Sequence, residues 1–539
     1  MGQLSTDSAA NASGQSWSGK KTLFFLIMIL LLAAGLRFWN VEHDTDLQRV
    51  FSGDARNKFE RAQLLATTGE IPMAAEDRYR LYRQPYFLTG SYSIVWRLAN
   101  MSGLDFSERQ MRVGFNAYII LFSLATVVLV FWMAKCVLDR SDGALFAALL
   151  FAVFPVNVAG SLYVKEDIPL MFWTTAALVT MSYLVKNGQK KYYLWTGLLI
   201  GMAVATKYSA LLLLGIFFLA HLFVVYDTAQ GERWKAFFSW QAMLGVGLAA
   251  AAFLLVNPQV INDWVNFQKG FLYQLTYASE GHHDGTAISG RDYWWTFYLR
   301  YAIMPGISIL VTLFSLGGLI FAFVKKNRPG MLIATAVLIF YLQFENSLAK
   351  PFPFFARYLH VIYPLLAVLA AYAFFALWMH LRRRPLTRAL GIGLGLILVL
   401  IPLGQSTLLA AAARPDTRVL AVEWLEENLA TGSNLVLNSR SYSPHSFEEG
   451  KFNLLYDSNV HNRSIEQLMA EEADYLVVSS FQYDRYRYSK DLNQRAADAF
   501  AAYQTFDEQL ELVKLFQPPF SFQTYGQHNP VIKIYRIPQ

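Results

Sequence analysis

The sequence predicts a mostly α-helical protein: a polytopic bundle that crosses a membrane many times, followed by a small α/β domain. Three observations support this prediction. The 539-residue chain is 55% hydrophobic and only 16% charged, a balance that soluble proteins of this length rarely have. Nearly unbroken apolar runs recur as far as about Leu408, and several reach, with flanking residues, the roughly 20 residues that cross a bilayer. Beyond that point the composition is that of a soluble domain.

The first apolar run follows a polar tail. Residues 1–20 are rich in Ser, Ala, Asn and Gly, a composition that predicts a disordered segment. The run begins after Lys20 and Lys21 and ends in Leu36-Arg37-Phe38-Trp39, which is typical of an interfacial helix end and has no small-residue cleavage site after it. We therefore predict a retained anchor rather than a cleaved signal peptide.

The apolar runs predict eleven spans. They lie at residues 22–40, 113–135, 143–161, 168–185, 192–206, 209–225, 237–256, 297–323, 330–345, 359–380 and 389–407. The fifth and sixth are short, which fits a tilted or re-entrant segment.

Basic residues mark alternate loops and predict the orientation. One set of short loops carries Lys20, Lys21, Lys135, Arg140, Lys186, Lys190, Lys191, Arg233, Lys235, Lys325, Lys326, Arg328, Arg382, Arg383, Arg384 and Arg388. Cytoplasmic loops are enriched in Lys and Arg, so we predict a cytoplasmic N-terminus and an extracytoplasmic C-terminus, as in a bacterial inner membrane protein. The net charge of +7 is then explained by these loops and not by nucleic acid. The single cysteine, Cys136, excludes an intrachain disulfide.

Three larger segments fall on the predicted outer side: residues 41–112, 257–295 and 408–539. The third contains an amphipathic helical stretch at 417–429 and strand-like runs at 434–437, 475–478 and 531–535. Helices that alternate with such strands predict an α/β domain. Nothing in it resembles a glycine-rich nucleotide-binding loop.

Asp54 is the first candidate for chemistry. It follows Gly53 shortly after the first span, where an accessible carboxylate could act as a general base. It could also cap the helix predicted at 57–65, since aspartate is a preferred N-cap residue. The two roles are compatible.

A second candidate site lies in the very short outer loop at Lys165-Glu166-Asp167. One acid could cap the following helix, but capping does not require three adjacent charged residues. Charges at a membrane boundary are costly and often functional, and paired carboxylates suit a divalent cation.

Further candidates lie at other outer helix ends. Lys207 could bind a phosphate or extend to the membrane interface. Arg357 could hold a phosphate or carboxylate through two hydrogen bonds, or anchor the span. The adjacent His282 and His283 could ligate a metal, although an exposed loop also accounts for them.

These motifs follow one another in a specific order on the predicted outer side. They are Ser52-Gly53-Asp54, Arg83-Gln84-Pro85-Tyr86, Glu166-Asp167-Ile168-Pro169-Leu170 with Phe172, Gly201 to Tyr208, and Arg357-Tyr358 with Pro364. In order and side they resemble the GT-C superfamily of integral membrane glycosyltransferases. The resemblance covers about residues 20–380 and is strongest to the branch of protein O-mannosyltransferases and the bacterial lipid A aminoarabinose transferase.

The resemblance implies transfer of a sugar from a polyprenyl-phosphate donor to a hydroxyl of a glycan, lipid or protein, with inversion. Asp54 matches the family's first-loop aspartate, the general base. Glu166 and Asp167 match the second acidic motif, which organises a divalent metal ion or the lipid phosphate. The expected contacts of the donor phosphate are Lys207, Arg357, Tyr358 and Arg83.

The chain departs from the family's pattern at two places. Asp54 is followed by Ala55 rather than by a second acid, and the segment from Arg83 to Tyr86 lacks the paired prolines or lysine of relatives. Metal dependence and the sugar therefore remain open.

Two other classes of protein remain as alternatives. A transporter or flippase would place charges and broken helices near the bilayer midplane, often in repeated halves; here the charges lie at helix ends and no internal repeat is found. A non-catalytic envelope assembly protein would not need both acidic motifs.

Overall fold

The computed structural model describes residues 19–45, 52–281, 287–350, 354–440, 442–518 and 529–539, and most of them are helical. The helices before the C-terminal domain are α1 (Gly19–Phe38), α2 (Gly53–Thr67), α3 (Phe87–Met101), α4 (Glu108–Leu138), α5 (Ser141–Ala152), α6 (Pro155–Gly160), α7 (Asp167–Asn187), α8 (Lys191–Thr206), α9 (Leu212–Asp227), α10 (Arg233–Phe237), α11 (Trp240–Val256), α12 (Gln259–Asn262), α13 (Trp264–Glu280), α14 (Met304–Ile307), α15 (Ile309–Val324), α16 (Arg328–Asn346), α17 (Tyr363–Leu381) and α18 (Pro385–Ala412). Short 3₁₀ segments lie at Ala75–Arg83, Tyr208–Leu211, Gln230–Glu232, Arg291–Tyr293 and Phe354–Val361, and a π-helical turn covers Leu299–Ile303.

The predicted multi-pass helical bundle is confirmed. Seven of the described helices are long and apolar enough to cross a membrane, or eight if the bent pair Leu299–Ile307 and Ile309–Val324 is one span. The helices α5, α8 and α16 correspond to three further predicted spans, but each is too short or not apolar enough to be counted among these seven or eight. The number of eleven therefore stays a prediction.

Contacts near the helix ends show which of these ends lie on the same side of the bundle. Lys186 contacts Asp139, and the Nδ2 of Asn327 donates a hydrogen bond to the Val137 carbonyl at 2.9 Å. The ends of α4 and α7 and the start of α16, all predicted to be cytoplasmic, therefore meet on one side. The acidic motifs meet at the opposite end of the bundle. The assignment of the first side to the cytoplasm stays a prediction.

Close glycine packing fixes the crossing of α8 and α11. A Cβ on Gly197 would lie 2.0 Å from the Gly245 carbonyl oxygen, and one on Gly201 would lie 2.4 Å from that of Ala249. Such small-residue spacing lets two membrane helices approach at backbone distance. The end of α8 that is predicted to be on the outer side is therefore fixed by this crossing, and Lys207 follows that end directly.

The C-terminal domain has the predicted α/β character. Its elements are α19 (Thr417–Asn428), β1 (Asn434–Leu437), β2 (Asn453–Tyr456), α20 (Ile465–Ala470), β3 (Tyr475–Ser479), α21 (Ser480–Tyr483), α22 (Gln494–Gln509), β4 (Glu511–Phe516) and β5 (Ile532–Arg536). The strands form one sheet in the order β2-β1-β3-β5-β4, with β2, β1 and β3 parallel and β5 antiparallel to β3 and β4. The three predicted strands are β1, β3 and β5; β2 and β4 were not predicted.

Hydrogen bonds attach this domain to the helical part. The Nη1 of Arg414 donates to the Oε2 of Glu42 at 3.1 Å, and the Tyr293 hydroxyl donates to the Tyr488 carbonyl at 2.7 Å. The two parts are therefore joined at the first and second predicted outer segments.

Candidate active site

Asp54 lies in the first turn of α2, and another residue caps that helix. The N-cap is Ser52, whose Oγ accepts a hydrogen bond from the Ala55 amide at 3.3 Å. The alternative that Asp54 is the cap is therefore wrong, because the serine already fills that position. The positive end of a helix dipole favours a carboxylate in the first turn, and the Asp54 side chain is 56% exposed. A substrate can reach it.

The second acidic motif is buried at the start of α7. Lys165, Glu166 and Asp167 are 7, 6 and 5% exposed. Glu166 occupies the N-cap position of α7 but makes no capping hydrogen bond with its side chain. Capping therefore does not explain these charges, which have their partners on other elements of the fold.

Two crossed ion pairs join α2 to the loop before α7. Lys165 contacts the Oδ2 of Asp54, and Lys58 contacts the Oε1 of Glu166. Asp54 and Lys58 are four residues apart, so they lie on one face of α2. Lys58 also donates a hydrogen bond to the Oε1 of Gln84. The first outer segment is thereby docked on the second acidic motif.

Two further cations surround Asp167. The Nζ of Lys207 lies 2.7 Å from the Oδ1 of Asp167, and the Nε of Arg357 lies 3.8 Å from its Oδ2. The ring of Tyr358 lies beneath both cations, with its centroid 4.7 Å from the Lys207 Nζ and 5.3 Å from the Arg357 guanidinium carbon. Lys207, Arg357 and Tyr358, each predicted as a phosphate contact, are thus brought together.

The site carries more positive than negative charge. Three carboxylates, of Asp54, Glu166 and Asp167, meet four cationic groups, of Lys58, Lys165, Lys207 and Arg357. One positive charge is left in excess, and partial burial makes it act strongly on its surroundings. Such a cluster suits a ligand with one negative charge.

The ionisation of the site follows from these pairs. The Lys165 ammonium is the largest influence on Asp54 and holds the pKa of that carboxyl well below its usual range, although burial acts in the opposite direction. Burial is the largest influence on Lys165 and lowers its pKa. The pKa of Arg357 is raised: burial alone would lower it, but Tyr358, Asp167 and Asp54 stabilise its charge. Asp54 is therefore a carboxylate at neutral pH and can accept a proton.

Arg83 takes a different environment from the one predicted. Its guanidinium carbon lies 3.6 Å from the ring centroid of Tyr273 and 5.0 Å from that of Tyr79. Its Nη2 donates a hydrogen bond to the Tyr79 hydroxyl at 2.9 Å. Aromatic rings of the first and second outer segments, rather than the charged cluster, are thus its described neighbours.

Glu166 and Asp167, the described residues that were predicted to bind a metal, have cationic side chains as neighbours. Both carboxylates of the second motif already face ammonium or guanidinium groups, which repel a divalent cation. Within the described ranges, no group of three or more His, Cys, Asp or Glu side chains could hold an ion. His282 and His283 lie outside the described residues. The described part of the site thus fits an anion better than a metal ion.

Two buried side chains next to the site were not singled out from the sequence. The Nδ1 of His360 lies 3.1 Å from the Oδ1 of Asn157, and both residues are almost fully buried. A Cβ on Gly160 would lie 2.4 Å from the His360 Nε2, so only glycine leaves room for this ring. No sequence signal joins His360 to Asn157 and Gly160, because it lies 203 positions after Asn157 in the chain.

Lys58 and Tyr442 were also missed. The sequence could have indicated Lys58, because it lies one helical turn after Asp54 and therefore on the same face of the helix. No sequence pattern points to Tyr442, because it belongs to the C-terminal domain and the charge of Asp54 acts on it only through the fold. Burial, and then the negative charge of Asp54, raises the pKa of Tyr442 to about 12.

Part of the chain matches a known protein family. The model of the family described as dolichyl-phosphate-mannose-protein mannosyltransferase matches residues 96–261. This segment contains Glu166, Asp167 and Lys207, but not Asp54 or Arg357. A comparison with curated protein sequences finds no match.

Solved structures share the fold over nearly the whole chain. The oligosaccharyltransferase of Archaeoglobus fulgidus, tethered with an acceptor peptide, is 12% identical with a TM-score of 0.54, covering 97% of this chain and 74% of that one. ArnT from Cupriavidus metallidurans, bound to undecaprenyl phosphate, is 12% identical with a TM-score of 0.51, covering 96% of this chain and 98% of that one. The shared fold thus includes the C-terminal domain as well as the helices.

Proposed function

We propose that this chain, a membrane glycosyltransferase with the GT-C fold that its motifs predicted, moves a sugar from a polyprenyl-phosphate donor to a hydroxyl acceptor. The acceptor is a glycan, a lipid or a protein, and transfer takes place on the predicted outer side. One observation carries the proposal: an accessible Asp54 carboxylate is part of a cluster that carries one positive charge in excess, with Asp54 itself counted. A base and an anion site are the two parts that this reaction needs.

The donor class is supported by the fold. ArnT, which shares it, is bound to undecaprenyl phosphate in its structure. A sugar linked to such a lipid through a phosphodiester carries one negative charge, which equals the excess positive charge of the site. A lipid donor arrives through the membrane, which agrees with the missing glycine-rich nucleotide loop.

The reaction follows from these parts. The acceptor oxygen forms a bond to the anomeric carbon, the bond from that carbon to the phosphate oxygen breaks, and its electron pair leaves with the polyprenyl phosphate. Attack from the opposite face inverts the configuration. Asp54 accepts the proton of the hydroxyl, while Lys207 and Arg357 stabilise the negative charge that develops on the leaving phosphate.

Lys165 connects the general base Asp54 with the cations that bind the donor phosphate. It contacts Asp54 and therefore weakens that carboxylate as a base. A donor phosphate bound among the cations offers Lys165 a second anionic partner, which releases Asp54 for the acceptor. In this proposal Glu166 and Asp167 hold the cations in place and do not bind a metal.

The proposal is tested with purified full-length protein in nanodiscs and a panel of radiolabelled undecaprenyl-phosphate hexoses and pentoses. Asp54→Asn should lower sugar transfer by about 10²–10⁴-fold, the usual worth of a general base. Asp77→Asn is the matched control, because Asp77 is another outer-segment aspartate, paired with Arg80 at the surface.

Other outcomes would point elsewhere. Full activity of Asp54→Asn would remove Asp54 from the role of base. If the wild-type protein consumed none of the donors but moved a glycolipid across vesicles, a flippase would replace the proposed transferase.

A further inference from the structure

Residues 82–84 of the first outer segment are attached at one end to the segment that carries Lys207. The Tyr208 hydroxyl donates a hydrogen bond to the Tyr82 carbonyl at 2.8 Å. Tyr208 directly follows Lys207, whose Nζ lies 2.7 Å from the Oδ1 of Asp167. The first of the three residues is therefore held next to a cation of the candidate site.

The other end of this stretch is attached to helix α2. Lys58 donates a hydrogen bond to the Oε1 of Gln84 and also contacts the Oε1 of Glu166. Lys58 lies one helical turn after Asp54 and on the same face of α2. Residues 82–84 thus form a bridge between the helix that carries Asp54 and the segment that carries Lys207.

The proposed reaction places the transferred sugar beside this bridge. The acceptor hydroxyl meets the anomeric carbon at Asp54, and the phosphate leaves towards Lys207. The sugar therefore lies between these two residues, which are the ones that the bridge connects. Free hydrogen-bond donors on residues 82–84 are then available to the sugar.

Gln84 has such donors. An ammonium group can only donate hydrogen bonds, so the amide oxygen of Gln84 must face Lys58. The two N–H donors of the same amide consequently point away from Lys58, and the side chain is exposed. Contact with Lys58 thus fixes the amide in an orientation that offers N–H groups to a ligand.

Arg83 has an uncompensated charge within the described part of the chain. Its neighbours there are Tyr273, whose ring centroid lies 3.6 Å from the guanidinium carbon, and Tyr79, whose hydroxyl accepts one hydrogen bond at 2.9 Å. Its Nε is buried and has no hydrogen-bond partner. A guanidinium has five N–H donors, and leaving a buried donor unused is costly. The tyrosines fix the guanidinium plane, but they do not neutralise its charge.

On the basis of the proposed transfer reaction, we propose that Gln84 and Arg83 bind the transferred sugar of the donor, and that this sugar carries a carboxylate, which Arg83 binds. The planar guanidinium matches a carboxylate through paired N–H donors, and the Gln84 amide donates to a sugar hydroxyl. The phosphodiester of the donor already balances the excess charge of the Asp54 cluster, so Arg83 is the counter-ion of a second anionic group.

The test measures donor binding and does not depend on turnover. Full-length protein in nanodiscs is loaded with radiolabelled undecaprenyl phosphate, and unlabelled lipids displace the label. The competitors are undecaprenyl-phosphate glucuronate and galacturonate, each with its neutral counterpart, glucose or galactose. At least one acidic donor should bind about ten- to hundredfold more tightly than its neutral counterpart, as expected for charge-assisted hydrogen bonds.

Matched variants separate the two residues. Arg83→Gln should abolish the preference for the acidic sugar, and Arg83→Lys should retain part of it because the charge is kept. Gln84→Met should weaken all four sugar-linked lipids by about two- to tenfold, the worth of a neutral hydrogen bond, and leave undecaprenyl phosphate unchanged. Arg80→Gln should bind as the wild type does, since Arg80 is exposed and paired with Asp77.

A purely structural role of Arg83 would give a different result. If Arg83 did no more than fasten the two outer segments through its tyrosines, Arg83→Gln would weaken acidic, neutral and sugar-free lipids alike and lower the unfolding temperature. That pattern would overturn the inference, as would equal binding of acidic and neutral donors by the wild type. Unchanged binding of every lipid by Gln84→Met would remove Gln84 from the sugar subsite.

Two further outcomes have a definite meaning. Undecaprenyl diphosphate is included as a competitor: if it bound more tightly than the monophosphate and Arg83→Gln removed that gain, Arg83 would bind a second phosphate, and the inference of an acidic sugar would be overturned. Failure of the labelled-donor assay alone would refute the transfer reaction and leave the binding result standing.

Discussion

The Lys165 ammonium contacts the Asp54 carboxylate, and this contact joins residues that are 111 positions apart in the chain. The lysine side chain is 9% exposed and the aspartate 56%, so the carboxylate faces the open side of the pair. The two acidic motifs therefore form a single site, in which a buried cation sets the strength of an accessible base.

Replacing Lys165 should change the pH dependence of transfer. Lys165 is the largest cause of the low pKa of Asp54, so Lys165→Met should raise that pKa towards the usual value for aspartate, about 3.9. Asp54 accepts a proton only when ionised, so the acidic limb of kcat/KM should move to higher pH. Lys165→Arg keeps the charge and serves as the control. An acidic limb at the same pH in both variants would contradict the prediction.

The buried pair of Lys58 and Glu166 should be sensitive to the loss of either partner. The two side chains are 6 and 7% exposed. Lys58→Met or Glu166→Gln alone leaves an uncompensated buried charge, which costs about 3–5 kcal/mol. The double variant should lose less than the two single losses added together. Thermal unfolding in detergent measures all three, and strictly additive losses would show that the pair is not coupled.

Replacing Arg357 should lower kcat/KM for the donor more than it lowers the stability of the protein. Its guanidinium lies beside Asp167 and over the Tyr358 ring, and a lost charge-assisted hydrogen bond to phosphate lowers kcat/KM for the donor by roughly ten- to hundredfold. Arg357→Gln should show that loss, and Arg357→Lys a smaller one. Arg78→Gln is the control, since Arg78 is an exposed outer-segment arginine paired with Asp263. Equal losses in Arg357→Gln and Arg78→Gln would argue against the donor role.

The sequence predicted those parts of the site that lie in contiguous motifs at helix ends. Asp54, Asp167 and Lys207 were identified because charges at a membrane boundary are conspicuous, and the fold brings them together. The partners of these charges are set by tertiary packing. Neither the pairing of Lys58 with Glu166 nor the stacking of Arg83 on aromatic rings has a local pattern.

In the C-terminal domain, too, the sequence predicted only part of the structure. Its strands β1, β3 and β5 were predicted from short apolar runs. The strands β2 and β4 also have apolar residues, but they form the two edges of the sheet and have no fully buried position. No alternation of buried and exposed positions therefore marks them in the sequence. Tyr442 lies in an irregular loop, and the effect of the Asp54 charge on it depends on how the domain docks.

Packing between α8 and α11 should be as important for the site as its charges. A Cβ on Gly197 would lie 2.0 Å from the Gly245 carbonyl oxygen, and backbone cannot move aside as a flexible side chain can. Gly197→Ala should therefore destabilise the protein by about 1–3 kcal/mol, the usual cost of overpacking. The variant should also lower transfer, because displacement of α8 moves Lys207 away from Asp167.

The control for this variant is on the facing helix. A Cβ on Gly247 would meet no atom within 4 Å, so Gly247→Ala should be neutral, or slightly stabilising through the better helix propensity of alanine. Thermal unfolding and the labelled-donor assay are measured on both variants. Equal behaviour of the two would mean that the close crossing of α8 and α11 does not position Lys207, and the geometry of the donor-phosphate contacts would then need another support.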